Sequence, residues 1–427
     1  MKRSSLILLC VFVAAIGSHT SHAQTIAITN ATVHTMTANG VLEDATIIIR
    51  DGKIAAVGKH AAIPPRAKKI DATGKIVTPG LFDSYSYLGL VEVSQTEETV
   101  DNFQTSKRFS AGFDVADAIN PRSTLIPINR IEGITRALVA PTSTDEGSHI
   151  AGLGAVIHLG GNEAYIDRRR AALFADIGEF GAALAGGSRA AAILQLREVL
   201  QDTQDYIANK LAYEGHGRRE YAAKRLDLEA LEAVLQGKIP LVLSVDRASD
   251  IEAALRLARD FELRLIIAGG AEAWLVAAKI AAQNVPVIID PTQNLPQRFE
   301  TLGARLDNAA LLHKAGVTIV FATAESHNSR NLKQAAGNAV ANGLPHEAAL
   351  EALTVNPARI YHIADNYGSV APGKDADIVI WGADPLEVTT FAEQVFIRGR
   401  KIPMISRQTL LRDRYLERNE WPVVYKK

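Results

Sequence analysis

Residues 240–268 read PLVLSVDRASDIEAALRLARDFELRLIIA, in which two short apolar runs flank an amphipathic stretch. Pro240 to Val245 and Arg264 to Ala268 have the length and the apolar character of buried strands. Between them, Ser249-Asp-Ile-Glu252 has the residue types of a capping box, which predicts the beginning of a helix. A strand, a helix and a second strand in this order predict a parallel βαβ unit.

The same alternation of apolar runs and helical stretches extends through the middle of the chain. A helix is predicted over residues 193–211, after the break at Gly186-Gly187-Ser188. Five further runs predict strands: Ile76 to Phe82, Ile134 to Ala140, Ala155 to Leu159, Val285 to Ile289, and Val317 to Ala322. With the two strands above they make seven candidates, and the middle of the chain is therefore predicted to be α/β.

Both ends of the chain differ from this middle because they are rich in strand-like sequence. From Ile26 to Ile70 the residues alternate and turn like sheet, and Asp51-Gly52 between two apolar runs predicts a hairpin. Near the other end, Ala376 to Trp381 and Gln394 to Ile402 are again strand-like. Neither end has enough strand to close a core, so the two ends are predicted to pair with one another.

The first 23 residues have the pattern of a secretory signal. Lys2-Arg3 is the basic region, Leu6 to Ile16 is the apolar region, and Ser21-His22-Ala23 is the small-residue cleavage pattern. The apolar run is too short to span a bilayer, so we expect cleavage near Ala23 and no membrane span. The expected location is exported, either periplasmic or secreted.

The charge of the chain bears on its partners. Lys and Arg number 46 against 47 Asp and Glu, which leaves a formal charge of -1. A nucleic-acid partner is not expected, because such proteins carry a basic surplus. The single cysteine precedes the predicted cleavage site, so the mature chain has no thiolate for a metal or a disulfide.

Four stretches, in this order along the chain, resemble the amidohydrolase superfamily, and most closely its imidazolonepropionase-like and exported dipeptidase-like branch. They are Ile76 to Asp83, Gly343 to Leu350, Thr354 to Arg359, and Gly368 to Asp377. The resemblance implies an α/β fold, a (β/α)8 TIM-type barrel with a small β-sandwich domain formed from both chain ends. The implied domains are a composite sandwich of residues 24–75 and 365–427 and a barrel of residues 76–364.

The resemblance also implies metal-assisted hydrolysis of C–N bonds other than ordinary peptide bonds. The family's metal ligands are a His-x-His pair, two further histidines and an Asp that is also the base. On this chain those positions fall on Tyr85-Ser86-Tyr87, on Ser244, near Gly269 and on Ala324. Phenols and hydroxyls are poor zinc ligands, so no metal site and no cofactor are expected here, although the family norm is zinc or another divalent metal.

Two groups of residues are candidates for a site at the barrel mouth. The catalytic candidates are His327 and its neighbour Glu325, because they follow the strand candidate that ends at Ala322. The substrate-binding candidates are Tyr85, Tyr87, Ser244, Asp246 and Arg247. Two structural interpretations stay open: the tyrosines can simply pack to close the site, and Asp246 with Arg247 can form a local ion pair.

Three functions are compatible with these residues. The first is an exported amidohydrolase-family hydrolase with a degenerate metal site, the second is a non-catalytic binding or structural pseudoenzyme, and the third is a metal-independent hydrolase with a rebuilt site. The expected ligand is a small molecule or a short peptide. Whether the protein is a homo-oligomer, and whether the segment Glu92 to Arg130 is a lid or an oligomer arm, are left open.

Overall fold

The hairpin predicted at Asp51-Gly52 is present in the computed structural model, which describes residues 25–161, 164–215, 217 and 219–416. Val41–Arg50 and Lys53–Gly58 pair as antiparallel strands. Asp51 and Gly52 have φ angles of 51° and 78°, the two positive values that a type I′ turn requires. The predicted hairpin is confirmed, whereas the signal at residues 1–23 lies outside the described residues.

The described residues form sixteen strands, numbered in chain order: β1 (Ile26–His34), β2 (Val41–Arg50), β3 (Lys53–Gly58), β4 (Lys68–Asp71), β5 (Ile76–Pro79), β6 (Leu81–Ser86), β7 (Ile134–Val139), β8 (Ile150–His158), β9 (Ile166–Asp176), β10 (Leu241–Val245), β11 (Leu265–Gly269), β12 (Val287–Ile289), β13 (Ile319–Phe321), β14 (Ile378–Trp381), β15 (Ala392–Ile397) and β16 (Arg400–Lys401).

Twelve α-helices lie in the same described residues: α1 (Leu125–Arg130), α2 (Glu179–Leu184), α3 (Arg189–Ala208), α4 (Lys210–Glu214), α5 (Arg225–Leu235), α6 (Ala248–Asp260), α7 (Ala277–Ala282), α8 (Asn308–Lys314), α9 (Leu332–Ala341), α10 (His346–Leu353), α11 (Val355–Ile360) and α12 (Arg407–Leu416). None of these described helices is long and apolar enough to cross a bilayer.

The two ends of the chain meet in one mixed sheet. Its strand order is β16-β15-β14-β5-β1-β2-β3, and β4 also pairs with β1. β14 from the C-terminal end pairs with β5 from the N-terminal end, in an antiparallel register that sets Val379 opposite Thr78. Ile28, Ile47 and Phe396 are buried together in the core of this sheet. The predicted association of the two ends in a separate sheet domain is confirmed.

The second sheet forms a nearly closed barrel. Strands β6 to β13 pair in chain order, and an isolated parallel bridge between Ser86 and Glu325 joins the two edges. β6 is parallel to β7, and β9 to β13 are parallel to one another. The helices that follow β10 to β13 cover the barrel, and α6 packs on β10 and β11. The α/β fold with a barrel is thus confirmed.

The barrel departs from eight parallel βα units at β8 and β9. β8, which includes most of the predicted strand Ala155 to Leu159, is antiparallel to both β7 and β9. Only residues 159–165 connect β8 to β9, and so short a connection permits an antiparallel pair but no crossover. β9 is the eighth strand that the apolar pattern did not reveal, because its first half carries the charged run Asp167 to Arg170.

The predicted strand Ile76 to Phe82 is interrupted at Gly80. β5 before it belongs to the mixed sheet, and β6 after it belongs to the barrel. A Cβ atom on Gly80 would lie 2.0 Å from Thr135 Oγ1, so the backbone passes too close to β7 for any side chain. One apolar run therefore supplies a strand to each sheet, and the chain passes from the first sheet to the second at this glycine.

The helix predictions are confirmed in position but not at every terminus. α3 begins after Ser188, whose side chain accepts a hydrogen bond of 3.1 Å from the Ala191 N–H. The capping box predicted at Ser249 is wrong, since α6 begins at Ala248 and Ser249 makes no capping hydrogen bond. Glu272 takes that role from the next strand–helix connection: its Oε2 accepts a hydrogen bond of 2.9 Å from the Ala248 N–H.

The long segment after β6 has its own local structure. It contains α1 and two single-turn 3-10 helices at Glu97–Thr99 and Val115–Asp117. The Glu92 carboxylate, near the beginning of the segment, accepts hydrogen bonds from residues near its end. The donors are the Ser123 hydroxyl and, at 2.8 Å, the Thr124 N–H. The segment is therefore an ordered insertion between the barrel strands β6 and β7.

Candidate functional site

A cavity of about 220 Å³ lies at the end of the barrel where the parallel strands terminate. This is the end at which barrel proteins build their sites. The lining comes from the ends of β6 and β9 to β13, and from the residues that follow them. Its polar members are Tyr85, Asp176, Ser244, Asp246, Asp290, Gln293, Arg298, Glu300 and Thr323.

Asp176, the last residue of β9, places its carboxylate in this cavity. Its Oδ1 accepts hydrogen bonds of 2.8 and 2.9 Å from the N–H groups of Gly178 and Gly181. Burial nevertheless raises the pKa of Asp176, and the nearby charge of Glu300 adds to that effect. The turn is fixed by Gly181, where a Cβ atom would lie 1.9 Å from the Asp176 carbonyl oxygen.

Asp246 follows β10 and is the most strongly perturbed carboxyl group in the lining. Burial raises its pKa to about 6, and repulsion from Glu300 and Asp176 acts in the same direction. Its Oδ1 accepts a hydrogen bond of 3.0 Å from the Ala271 N–H, and its Oδ2 lies 3.3 Å from Arg298 Nη2. With a pKa of about 6, Asp246 is mostly but not completely ionised at neutral pH.

Glu300 is buried and is the third carboxylate of the cavity, and two arginines compensate it. Its Oε2 accepts a hydrogen bond of 2.6 Å from the Glu179 N–H and lies 3.2 Å from Arg189 Nη2. Arg298 Nη1 lies 3.5 Å from Oε1. Since Arg298 also contacts Asp246, one half-exposed guanidinium is shared between two carboxylates.

Tyr85 and Tyr87 lie on one side of β6 and its extension, as alternation along a strand requires. Their ring centroids are 5.9 Å apart, and Tyr85 also packs on Phe174 with centroids 5.3 Å apart. Burial raises the pKa of both phenols, that of Tyr85 by the larger amount. Both therefore stay protonated, and of the two only Tyr85 lines the cavity.

Asp83 lies beneath the cavity in β6 and is fully buried. Burial raises its pKa to about 7, although Ser329, Tyr85 and Thr323 all favour the ionised form. The Thr323 hydroxyl donates to Asp83 Oδ2 at 3.1 Å, which joins β6 to the residues after β13. This buried acid closes the seam of the barrel.

The structure brings together only some of the predicted site residues. Tyr85, Ser244 and Asp246 line the cavity, whereas Tyr87, Arg247, Glu325 and His327 do not. His327 Nε2 instead lies 3.2 Å from Gln408 Nε2 in α12, and the Glu325 side chain is exposed while its carbonyl oxygen accepts from Tyr87 N–H.

The local ion pair considered for Asp246 and Arg247 does not form. Arg247 Nη2 lies 2.7 Å from Asp250 Oδ1 within α6, while Asp246 contacts Arg298. Asp176, Arg298 and Glu300 were missed by the sequence analysis. Asp176 ends the strand that was itself missed, and Arg298 and Glu300 lie in the irregular segment between β12 and α8, where no periodic pattern distinguishes them.

The donor groups at this mouth differ from the imidazole ligands that the resemblance implies for a metal. Among the described residues, the cavity lining contains no histidine, and the carboxylates there do not gather three donor atoms within 4.8 Å of one another. Burial raises the pKa of Tyr85, and a neutral phenol is a poor ligand for zinc. We therefore derive no chemical step through a metal at this position.

Comparison with known proteins shows similarity to amidohydrolases. The model of the family described as "Amidohydrolase family" matches residues 222–404. The chain is similar to the imidazolonepropionase of Cereibacter sphaeroides, at 27% identity over 390 residues, which are 82% of this chain and 91% of that protein. It is also similar to the amidohydrolase tasK of Hapsidospora irregularis, at 23% identity over 387 residues and 83% of this chain. The chain spans only 39% of the length of tasK.

Among solved structures, the crystal structure of an amidohydrolase from Thermotoga maritima MSB8 is similar over the whole fold. The TM-score is 0.80 and the sequence identity is 28%, and the match covers 90% of this chain and 100% of the other. The barrel and the mixed sheet built from both chain ends thus occur together in a known protein.

Proposed function

We propose that the chain is an amidohydrolase-family protein whose barrel mouth binds the cationic group of a small molecule or a short peptide. We propose further that it does so without the metal-assisted hydrolysis of C–N bonds that the resemblance implies. The observation that carries the proposal is the group of carboxylates Asp176, Asp246 and Glu300, whose negative charge exceeds what Arg298 and Arg189 offset.

The perturbed carboxyl groups explain why a cation is the preferred ligand. The pKa of Asp246 is raised to about 6 and that of Asp176 is also raised, in both cases by burial and by the negative charge of Glu300. A bound ammonium or guanidinium group would favour the ionised forms, because an opposite charge within about 4–6 Å stabilises a carboxylate. Binding would thus relieve a repulsion that the free protein retains.

The size of the cavity limits what enters it. Pockets for drug-sized ligands measure about 300–1,000 Å³, and this cavity is about 220 Å³. It therefore suits an amine-bearing side chain or a compact small molecule, and a peptide would extend into solvent. Tyr85 and Ser244 supply a protonated phenol and a hydroxyl for hydrogen bonds to the rest of the ligand.

The two hydrolytic alternatives receive less support. Metal-assisted hydrolysis in this family uses imidazole ligands, and the mouth offers phenol, hydroxyl and carboxylate groups instead. A rebuilt metal-independent site around His327 and Glu325 would need these side chains in the cavity, and neither of them lines it. We therefore favour a non-catalytic binding protein with a degenerate metal site.

Calorimetric titration with matched ligands tests the proposal. Agmatine, N-acetyl-arginine amide and N-acetyl-lysine amide are the cationic probes, and N-acetyl-citrulline amide and N-acetyl-norleucine amide are the neutral isosteres of the last two, because acetylation removes the charge of the α-amine. We expect the cations to bind and Asp246→Asn to weaken them at least tenfold, because a charge-assisted contact is worth about 1.5–3 kcal/mol. The matched control is Asp260→Asn, a surface carboxylate outside the cavity.

Two results would contradict this proposed function. One is equal binding of cationic and neutral isosteres, which would show that charge does not select the ligand. The other is turnover of N-acyl amino acids, dipeptides or cyclic amides that a chelator abolishes and Asp246→Asn also abolishes. The second result would place metal chemistry in the barrel mouth.

We also propose that the protein is exported, on the pattern of residues 1–23. N-terminal sequencing of the protein from periplasmic and culture fractions tests this, and the expected first residue is Gln24. Recovery of an intact Met1 in the membrane fraction would overturn it.

A further inference from the structure

We infer a second ligand site, distinct from the barrel cavity, at which His34, His346 and Glu347 bind one divalent transition-metal ion such as Zn²⁺. His34 is the last residue of β1, and His346 and Glu347 are the first two residues of α10. One candidate ligand atom from each residue lies within 4.8 Å of the other two, and the described residues contain no other such group of three. None of the three lines the barrel cavity.

The candidate ligand atoms of the three residues already lie close to one another. His34 Nδ1 lies 2.7 Å from Glu347 Oε1, and His346 Nδ1 lies 3.8 Å from the same oxygen. Zinc bonds of about 2.0–2.1 Å in tetrahedral geometry place ligand atoms roughly 3.3 Å apart. The observed separations of 2.7 and 3.8 Å bracket this spacing, so side-chain rotations would bring these atoms to it.

A fourth residue orients one of the imidazoles. His346 Nε2 lies 3.0 Å from each carboxylate oxygen of Asp384, and Asp384 Oδ1 is itself held by the Leu386 N–H at 2.9 Å. Asp384 accepts the Nε2 proton, so the lone pair of the neutral ring is on Nδ1, the atom that faces Glu347. Metal-bound histidines commonly have this carboxylate partner, which fixes the tautomer and raises the basicity of the ring.

The donor types select the class of ion. Two imidazoles and one carboxylate suit zinc and neighbouring transition metals, whereas magnesium and calcium prefer oxygen ligands alone. Access is open, because the Glu347 side chain is 49% exposed and that of His346 is 33% exposed. Three protein ligands leave the fourth position for water.

Metal binding at this position would join the two domains. His34 belongs to the mixed sheet and α10 packs on the barrel strands β6 and β13. His34 and Glu347 are 313 positions apart in the chain, so the ion would restrain parts of the protein that the sequence separates widely. We therefore expect zinc to raise the thermal unfolding midpoint.

Titration of the full-length, chelator-treated protein with Zn²⁺ and with Co²⁺ tests the site. Calorimetry measures stoichiometry and affinity, and the visible absorption of Co²⁺ reports its ligand geometry. We expect one equivalent of metal to bind tightly and a rise in the unfolding midpoint. Glu347→Gln and His346→Gln should each lower the affinity at least tenfold, and Asp384→Asn should lower it by about 10–100-fold.

Matched variants make the outcome decisive. Glu351→Gln changes a carboxylate one turn further along α10, and His313→Gln changes an exposed histidine in α8, so both should bind zinc like the native protein. Unfolding curves in chelator show whether each variant is folded. Glu347→Gln decides the test, because Glu347 is half-exposed.

Absence of zinc binding, or equal affinity in Glu347→Gln and Glu351→Gln, would overturn the site. Loss of binding in Asp246→Asn alone would place the ion in the barrel cavity and would overturn it as well.

Discussion

Arg136 in β7 lies with its Nη1 3.1 Å from Oδ2 of Asp377, the residue directly before β14. The side chains are only 2% and 1% exposed, so this ion pair is buried where the barrel meets the mixed sheet. Arg136 also contacts Asp167 in β9 at 2.8 Å and Asp375 at 3.0 Å. One guanidinium thus contacts three carboxylates from both domains, while Arg398 and Lys53 also pair with two of these carboxylates, and the cluster holds the C-terminal strands on the barrel.

The first prediction concerns this arginine. Arg136→Met should lower the free energy of unfolding by about 3–5 kcal/mol, because it leaves the buried carboxylate of Asp377 without its ion-pair partner. Urea unfolding followed by circular dichroism measures the change. The control is Arg256→Met, which removes an exposed ion pair with Glu252 and should cost less than about 0.5 kcal/mol. Equal effects of the two substitutions would show that the buried cluster does not stabilise the domain contact.

The second prediction is a pH dependence of ligand binding in the barrel cavity. The pKa of Asp246 in the free protein is about 6, raised chiefly by burial. A permanently charged cation binds the ionised carboxylate, so its affinity should rise as the pH increases from 5 to 7. Titration calorimetry with agmatine at several pH values measures this rise. In Asp246→Asn the rise should be much smaller, with the remainder due to Asp176, whose pKa is also raised, and an unchanged profile in that variant would exclude Asp246 as its origin.

The third prediction concerns Asp83 and the stability of the barrel. Burial raises its folded-state pKa from 3.8 to about 7, so the folded protein holds a proton that the unfolded chain releases. Its contribution to stability is complete below pH 3.8 and decreases as the pH rises toward 7, by at most about 1.4 kcal/mol per pH unit. Relative to Asp83→Asn, the native protein should therefore lose stability over this range.

Urea unfolding at pH values between 4 and 7 measures the difference between native protein and Asp83→Asn. Asp71→Asn is the control, because hydrogen bonds from Thr73 and Asn30 lower the pKa of that exposed carboxyl group, and its titration falls below the range. A constant difference between the native protein and Asp83→Asn would show that Asp83 does not retain its proton on folding.

The fourth prediction is that Tyr85→His/Tyr87→His will not create zinc-dependent hydrolysis. Two imidazoles are fewer than the three protein ligands that a catalytic zinc site needs. Position 269 is closed to a third ligand, because a Cβ atom there would lie 2.6 Å from Asp246 Oδ1 and the residue has a φ of +94°. The replacement of packed phenols should also cost about 1–3 kcal/mol for each buried polar group left unpaired.

Turnover of N-acyl amino acids, dipeptides and cyclic amides, with zinc and with chelator, measures the result of this double substitution. The background should be Glu347→Gln, so that zinc bound at the His34 site does not enter the comparison. Zinc-dependent turnover would show that Asp176 or Asp246 completes a ligand set and that the barrel mouth is competent to hold a metal.

The sequence by itself was enough to predict the class of fold. Apolar runs such as Leu241–Val245, separated by helical stretches, predicted the barrel strands. This was possible because the length and apolar character of a run are properties of neighbouring residues in the sequence. The turn at Asp51-Gly52 was predicted for the same reason, since the positive φ angles of a type I′ turn are a local preference of these residues. The association of the two ends was predicted both from the lack of sufficient strand at either end alone and from the resemblance to amidohydrolases, because local patterns do not specify which strands pair.

Only the tertiary structure decided where β9 belongs and which charges meet. The arginines at the beginning of β9 interrupt the apolar pattern, so the strand was not predicted although its second half is buried. Asp246 is paired with Arg298, 52 residues away, and not with the adjacent Arg247, because ion pairing follows distance in space. The raised pKa values of Asp246 and Asp176 arise from burial and from a neighbour, Glu300, that the chain brings in from a separate segment. Local preferences determined the elements of this protein, and the chemistry of its cavity was determined by contacts between residues far apart in the sequence.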